Sequence, residues 1–223
     1  IKDGFHETQQ QLTTEINQIK VELKALPDKF LPKEQPPQEF TNKLPSVVKK
    51  HIAELLSQAN ATKYRTSLFC EYPGWKQNGK LHKTLKHNGN FCFLCQTVSH
   101  PRHVLGVYVH ETIDKTKVLD RELVVFKIAK DGVTLFPPVD PDAARVIFGK
   151  SDCSVLDIQG STDPEGVFSF GFPMNNTLYS FAVHPERHFQ IDDPSAVIPV
   201  YPSPEPDEDA RCKWVAVLEL SRA

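Results

Sequence analysis

The hydrophobic positions change rhythm along this chain. In the first stretch Phe5, Leu12, Ile16, Ile19, Leu23 and Leu26 share one helical stripe, and from Leu12 onward the steps alternate between four and three. That is the a/d seam of a coiled coil, with Gln, Thr, Glu, Asn and Lys left for the solvated faces. Pro27 ends the helix, because proline has no N–H to donate and clashes with the preceding turn. The pattern predicts a helix over 1–26 that self-associates through Leu12, Ile16, Ile19, Leu23 and Leu26. A stripe apolar only at a and d is narrow for packing on a globular neighbour. A short helix is marginal in water unless its stripe is covered. The seam is open to extension upstream of Ile1.

Residues 27–45 hold five prolines with charges between them, the texture of an extended, semi-stiff linker. A second helix is expected over 46–60, with Ser46 as its N-cap and Val47, Val48, Ile52, Leu55 and Leu56 at helical spacing. From about residue 61 to the C-terminus the segments become short, β-branched and aromatic, broken by Gly, Pro and Asn-Gly or Asp-Gly pairs. Strands are expected at 67–71, 91–98, 104–109, 123–128, 133–136, 145–148, 154–158, 167–170, 178–183, 197–200 and 213–220. A helical turn is expected near 79–86, and Asp131-Gly132 reads as a tight hairpin turn. Many short strands without intervening long helices predict a mainly β (α+β) fold. Its body is an antiparallel β-sandwich over 61–223, flanked by short helices and preceded by the coiled-coil helix.

Charge narrows the function classes. Lys and Arg total 26 against 28 Asp and Glu, a formal net charge of −2. Such a balance lacks the basic face that phosphate neutralisation needs, so no nucleic-acid partner is expected. No apolar run approaches the ~20 residues of a membrane helix, so no membrane insertion is expected. The five cysteines are Cys70, Cys92, Cys95, Cys153 and Cys212, an odd and sparse set that points to a reducing, cytoplasmic compartment.

The sharpest candidate chemistry is Cys92-Phe-Leu-Cys95 followed by His100-Pro-Arg-His103. Two thiols and two imidazoles are a tetrahedral zinc ligand set in principle. The two cysteines, however, lie in an expected strand. Side chains three apart in a strand point to opposite faces. We therefore expect no metal and no cofactor. The same geometry disfavours a thioredoxin-type pair, which sits at a helix N-terminus. No nucleophile elbow, phosphate loop, zinc-protease motif or calcium loop occurs. Asp120, Glu122, Asp152 and Asp157 flank strands singly. His184 and His188 straddle Pro185 and read as surface histidines beside a turn. No catalytic residue is expected. Gly106 and Gly171, each beside aromatic strand residues, are expected to permit close backbone packing.

The strand run Asn90-Phe-Cys-Phe-Leu-Cys-Gln-Thr97, then Val104-Leu-Gly-Val-Tyr-Val109, then Leu123-Val-Val-Phe-Lys-Ile128 resembles the TLDc family, in particular its divergent protozoan members. Leu68-Phe-Cys-Glu-Tyr with Leu81 and Leu85 is similar to the family's entry strand and following helix. Val167-Phe-Ser-Phe-Gly-Phe172 with Leu178-Tyr-Ser-Phe181 is similar to its glycine-containing strand pair, and Trp214-Val-Ala-Val-Leu-Glu-Leu220 to its closing strand. The family's double glycine is Gly106-Val107 here, and of its glycine-rich stretch Gly171 remains. The resemblance implies a β-sandwich without a catalytic centre, with Gly106, Gly171 and Trp214 in structural positions. It also implies a protein-interaction role tied to protection from oxidative stress or to the vacuolar proton pump. A lectin-like or peptide-binding sandwich, multimerised by the helix, is the alternative.

Overall fold

A computed structural model describes residues 43–71, 83–86, 88–148, 154–163, 167–174, 177–201 and 207–222. The coiled-coil helix expected over 1–26 and most of the 27–45 linker lie outside these residues. Among the described residues, no helix is long and apolar enough to cross a membrane.

Helix α1 spans Ser46–Gln58. Its N-cap is Pro45, not Ser46, and the Pro45 carbonyl accepts from the N–H groups of Val48 and Lys49 at 3.0 and 3.1 Å. A backbone carbonyl thus starts the helix without a side-chain cap. Asn60, at φ 49°, turns the chain out of the helix. Asparagine tolerates this left-handed conformation, which commonly closes helices.

Eleven strands follow: β1 Ala61–Glu71, β2 Phe91–Thr97, β3 Val104–Val109, β4 Lys117–Leu119, β5 Val124–Ala129 and β6 Gly132–Phe136. Then come β7 Arg145–Phe148, β8 Ser154–Gln159, β9 Val167–Met174, β10 Thr177–Val183 and β11 Cys212–Arg222. Residues 83–85 are helical, within the turn expected near 79–86. The strands form two antiparallel sheets. One has six strands in the order β1-β11-β2-β3-β5-β6, the other five in the order β10-β9-β8-β7-β4. The fold is a mainly β, antiparallel sandwich.

Its interior joins Phe91, Phe93, Cys95, Leu105, Val107, Val109, Val125, Val215 and Val217 of the large sheet to Val146, Phe148, Leu156, Ile158 and Ala182 of the small one. The opposite face of the large sheet is also buried. Val48 and Leu55 of α1 pack there with Cys92, Leu94, Tyr108, Phe126, Trp214, Ala216 and Leu218. Helix α1 is therefore a third layer of the same compact body. This explains why β3 is buried at all six positions and why β2 opens with five apolar residues in a row, Phe91 to Cys95. A strand covered on both faces has no reason to alternate.

Three elements depart from expectation. Strand β1 begins at Ala61, six residues before the expected 67, because its polar first half pairs with β11 from Ala61↔Arg222 to Thr66↔Leu218. Residues 197–200 form no strand. They follow a 3-10 turn at Pro194–Ala196, touch β10 through one parallel bridge, Ala182↔Val200, and cover its edge. Strand β4 was not expected; its three residues take their extended form from pairing with β7.

Candidate functional site

Period two separates the two nearest cysteines. Cys95 faces the sandwich interior, whereas Cys92 faces α1. Both are fully buried, and burial pushes the Cys92 thiol far above its ordinary range, so it is no nucleophile. His100 and His103 lie together in the turn after β2, with ring centroids 5.1 Å apart. They serve another segment. His100 Nε2 donates to the Ser195 carbonyl at 2.8 Å, and His103 Nε2 donates to the Val197 carbonyl at 3.2 Å. The hydroxyl of Ser99 lies 2.8 Å from His100 Nδ1. Burial lowers the His103 pKa, with His100 and Lys127 adding to the shift, while the Val197 contact opposes it. The two imidazoles thus hold the 194–197 turn. Among the described residues, no group of three or more His, Cys, Asp or Glu could hold a metal ion.

Polar residues that look solitary in the sequence form a cluster at one end of the large sheet. Tyr108 donates to Asn90 Oδ1 at 2.8 Å, Arg222 Nη2 donates to the Tyr108 hydroxyl at 2.8 Å, and the same nitrogen pairs with Glu122. Asn90 Nδ2 donates to the Leu220 carbonyl at 2.7 Å. Asp120, expected to stand alone, is fully buried and accepts the backbone N–H groups of His110, Glu111 and Glu122 at 2.7, 3.1 and 3.1 Å. Burial raises its pKa and the three donors pull it back. Burial likewise raises the Tyr108 pKa against the opposing pull of Arg222. A tyrosine held protonated and an arginine shared between two partners tie strand ends together. Neither is poised to move a proton.

His188 also corrects the sequence reading. It is fully buried, not on the surface, and its Nδ1 accepts the Gly160 N–H at 3.2 Å, with the Ser161 hydroxyl at 3.1 Å. The 3-10 turn at Pro185–Arg187 swings it inward, and no local signal marked this.

Of the residues expected to be structural, Gly106 and Trp214 lie in packed positions. A Cβ on Gly106 would stand 2.2 Å from the Phe126 ring and 2.9 Å from Leu94 Cδ2. Trp214 stacks on Phe69 with centroids 5.9 Å apart, and its Nε1 donates to Gln96 Oε1 at 3.2 Å. Gly171 lies in β9 opposite Tyr179 and Ser154.

The remaining feature is an edge. Strand β1 is eleven residues long and pairs with β11 on one side; among the described residues no strand pairs with its other side. Thr62, Lys63, Arg65 and Glu71 are exposed along it. Arg65 is held by Glu219 on β11, and a register slip between Thr66 and Leu68 divides the strand into a basic first half and an apolar second half. The apolar half is spoken for, since Leu68 is buried in the interior and Phe69 lies against Trp214. Among the described residues, no strand pairs with the far side of the basic half. No protein-family model, no curated protein and no solved structure matches this chain.

Proposed function

We propose that this chain is a non-catalytic protein-interaction module that takes an extended acidic segment of a protein partner along β1. The observation that carries the reading is the long open edge with Lys63 and Arg65 exposed on its first half. Backbone donors and acceptors on a free edge accept an added strand, and side chains at alternate positions select it. Basic side chains also choose between partners. Two copies paired antiparallel about Tyr64 would set Lys63 against Arg65, and like charges directly opposite are unfavourable. An acidic strand meets the same positions with opposite charge.

The TLDc resemblance adds a specific form to this reading, an adaptor in oxidative-stress protection or at the vacuolar proton pump, acting in the cytoplasm. The a/d stripe of Leu12, Ile16, Ile19, Leu23 and Leu26 supports self-association, which would raise avidity for a weakly held segment. The test is a titration of the full chain with a synthetic peptide alternating Glu and Val, beside one alternating Lys and Val, read by backbone amide NMR. Saturable shifts confined to residues 61–66, given by the Glu peptide and lost in Lys63→Glu, are expected. An equal response to both peptides, or shifts elsewhere only, overturns the reading. Sedimentation of the full chain beside a chain beginning at Glu39, which keeps α1 and the sandwich, tests the stripe; two monomers would refute self-association.

A further inference from the structure

Two of the buried thiols meet across the ladder between β2 and β11. Cys95 stands opposite Val215, and Cys212 stands opposite Thr97. Cys212 and Val215 are three residues apart, which in a regular strand would place them on opposite faces. The register slips between Cys212 and Trp214, and the extra residue returns Cys212 to the interior face that Cys95 and Val215 share. Both cysteines are fully buried with free thiols, and burial together with the neighbouring Cys95 pushes the Cys212 thiol well above its ordinary range. The other cysteines nearby are placed differently. Cys92 lies on the helix side of the sheet, and Cys70 lies on β1, with β11 between it and Cys95.

We propose that Cys95 and Cys212 are a disulfide-forming pair whose bond closes as the chain folds in the presence of a low-molecular-weight disulfide such as glutathione disulfide. One protein thiol loses its proton and attacks glutathione disulfide, giving a mixed disulfide and one glutathione. The second protein thiol loses its proton and attacks the protein sulfur of that mixed disulfide, releasing the second glutathione. Two protein thiols are oxidised to one disulfide, and one glutathione disulfide is reduced to two thiols. In the finished fold neither sulfur is reachable, so exchange happens before the core closes or during an opening. In a reducing compartment the pair stays a buried dithiol; in an oxidising one it staples the C-terminal strand to the centre of the large sheet.

The test refolds the reduced, unfolded full chain into a glutathione redox buffer, alkylates the remaining thiols under denaturing conditions, and maps the peptides by mass spectrometry. The expected product joins Cys95 to Cys212, with Cys70 and Cys92 alkylated. Its Tm should exceed that of the reduced chain by about 10 °C, since the bond closes a long loop of the unfolded chain. The folded reduced chain in the same buffer should form the link far more slowly. Cys92→Ser should keep the link and Cys212→Ser should lose it. The same map of chain made by cell-free synthesis with glutathione disulfide present answers the question without a refolding step. Cys95 and Cys212 both alkylated in either oxidised preparation, or a dominant link through Cys70, Cys92 or Cys153, would overturn the proposal.

Discussion

The two edges of the six-stranded sheet are finished in different ways. Strand β6 is five residues long and is covered by helix α1. Glu54 Oε1 accepts the Val133 N–H at 3.3 Å, while Lys50 Nζ and His51 Nε2 donate to the Lys130 carbonyl at 2.8 and 3.2 Å. Strand β1 is more than twice as long, and no described strand or side chain closes its far side in this manner. It carries a register slip and exposed charges instead. Covering removes an edge from use. Charge and irregularity only filter what can join it. The first edge is therefore structural, and among the described residues the second has no such cover, which is the ground for the proposed partner. The small sheet adds a third solution. The far side of β10 is strapped by the chain itself, the Ala182 N–H donating to the Pro199 carbonyl and the Tyr201 N–H to the Ala182 carbonyl, each at 2.9 Å.

The strongest way to break the contrast is to detach the cover. Leu55 is almost fully buried between α1 and the sheet. Leu55→Ala should cost about 3 kcal/mol of unfolding free energy in urea melts and should open β6 to amide exchange, because a cavity replaces the helix's main anchor. Gly106→Val should cost about 2–3 kcal/mol, since its side chain must displace the Phe126 ring beneath the same helix. Circular dichroism melts check it, and an unchanged Tm would refute the close packing at this position. Glu54→Ala removes one partly exposed acceptor from β6. It should cost about 0.5–1 kcal/mol and speed exchange at Val133, while Glu54→Gln, which keeps an oxygen there, should do neither.

The strap on β10 predicts a smaller, pH-dependent effect. The fold holds His103 neutral by lowering its pKa from 6.5. The unfolded chain takes up that proton first as pH falls. The contribution is therefore complete above about pH 6.5 and is lost as pH falls through the lowered folded value. Tm should decline with acid across this range, and His103→Gln should flatten part of the decline. The smallest effect on stability is expected at the open edge. Lys63→Glu should change unfolding free energy by no more than about 0.5 kcal/mol, yet it should abolish the preference for an acidic peptide. A large loss of stability there would mean that the edge is part of the folding machinery.

Some of this was legible because it depends on near neighbours in the chain. Strand β3 occupies the residues expected of it, and the tight turn expected at Asp131-Gly132 joins β5 to β6 one residue earlier, with Lys130 and Asp131 between the paired Ala129 and Gly132. The divergence of Cys92 and Cys95 followed from period two alone. Other features had no local signal. Nothing around His188 announced burial, because what buries it is a 3-10 turn folding against Gly160 and Ser161. Asp120 looked solitary because its three partners are backbone N–H groups, which every residue carries. The Cys95–Cys212 contact depends on a one-residue slip in β11, and such a slip is visible only once β2 is laid beside it.

By itself, the amino-acid sequence determined the class of the fold, most of its strands and the amphipathic character of α1. Each of these is set by propensity, turn chemistry and periodicity over a few residues. Only the tertiary structure decided that α1 lies on the large sheet, that it closes the β6 edge while no described strand closes the β1 edge, and that two distant cysteines share one face. Those outcomes depend on which strands become neighbours and in what register. Pairing energy is shared between segments far apart in the chain, so no single segment carries the answer.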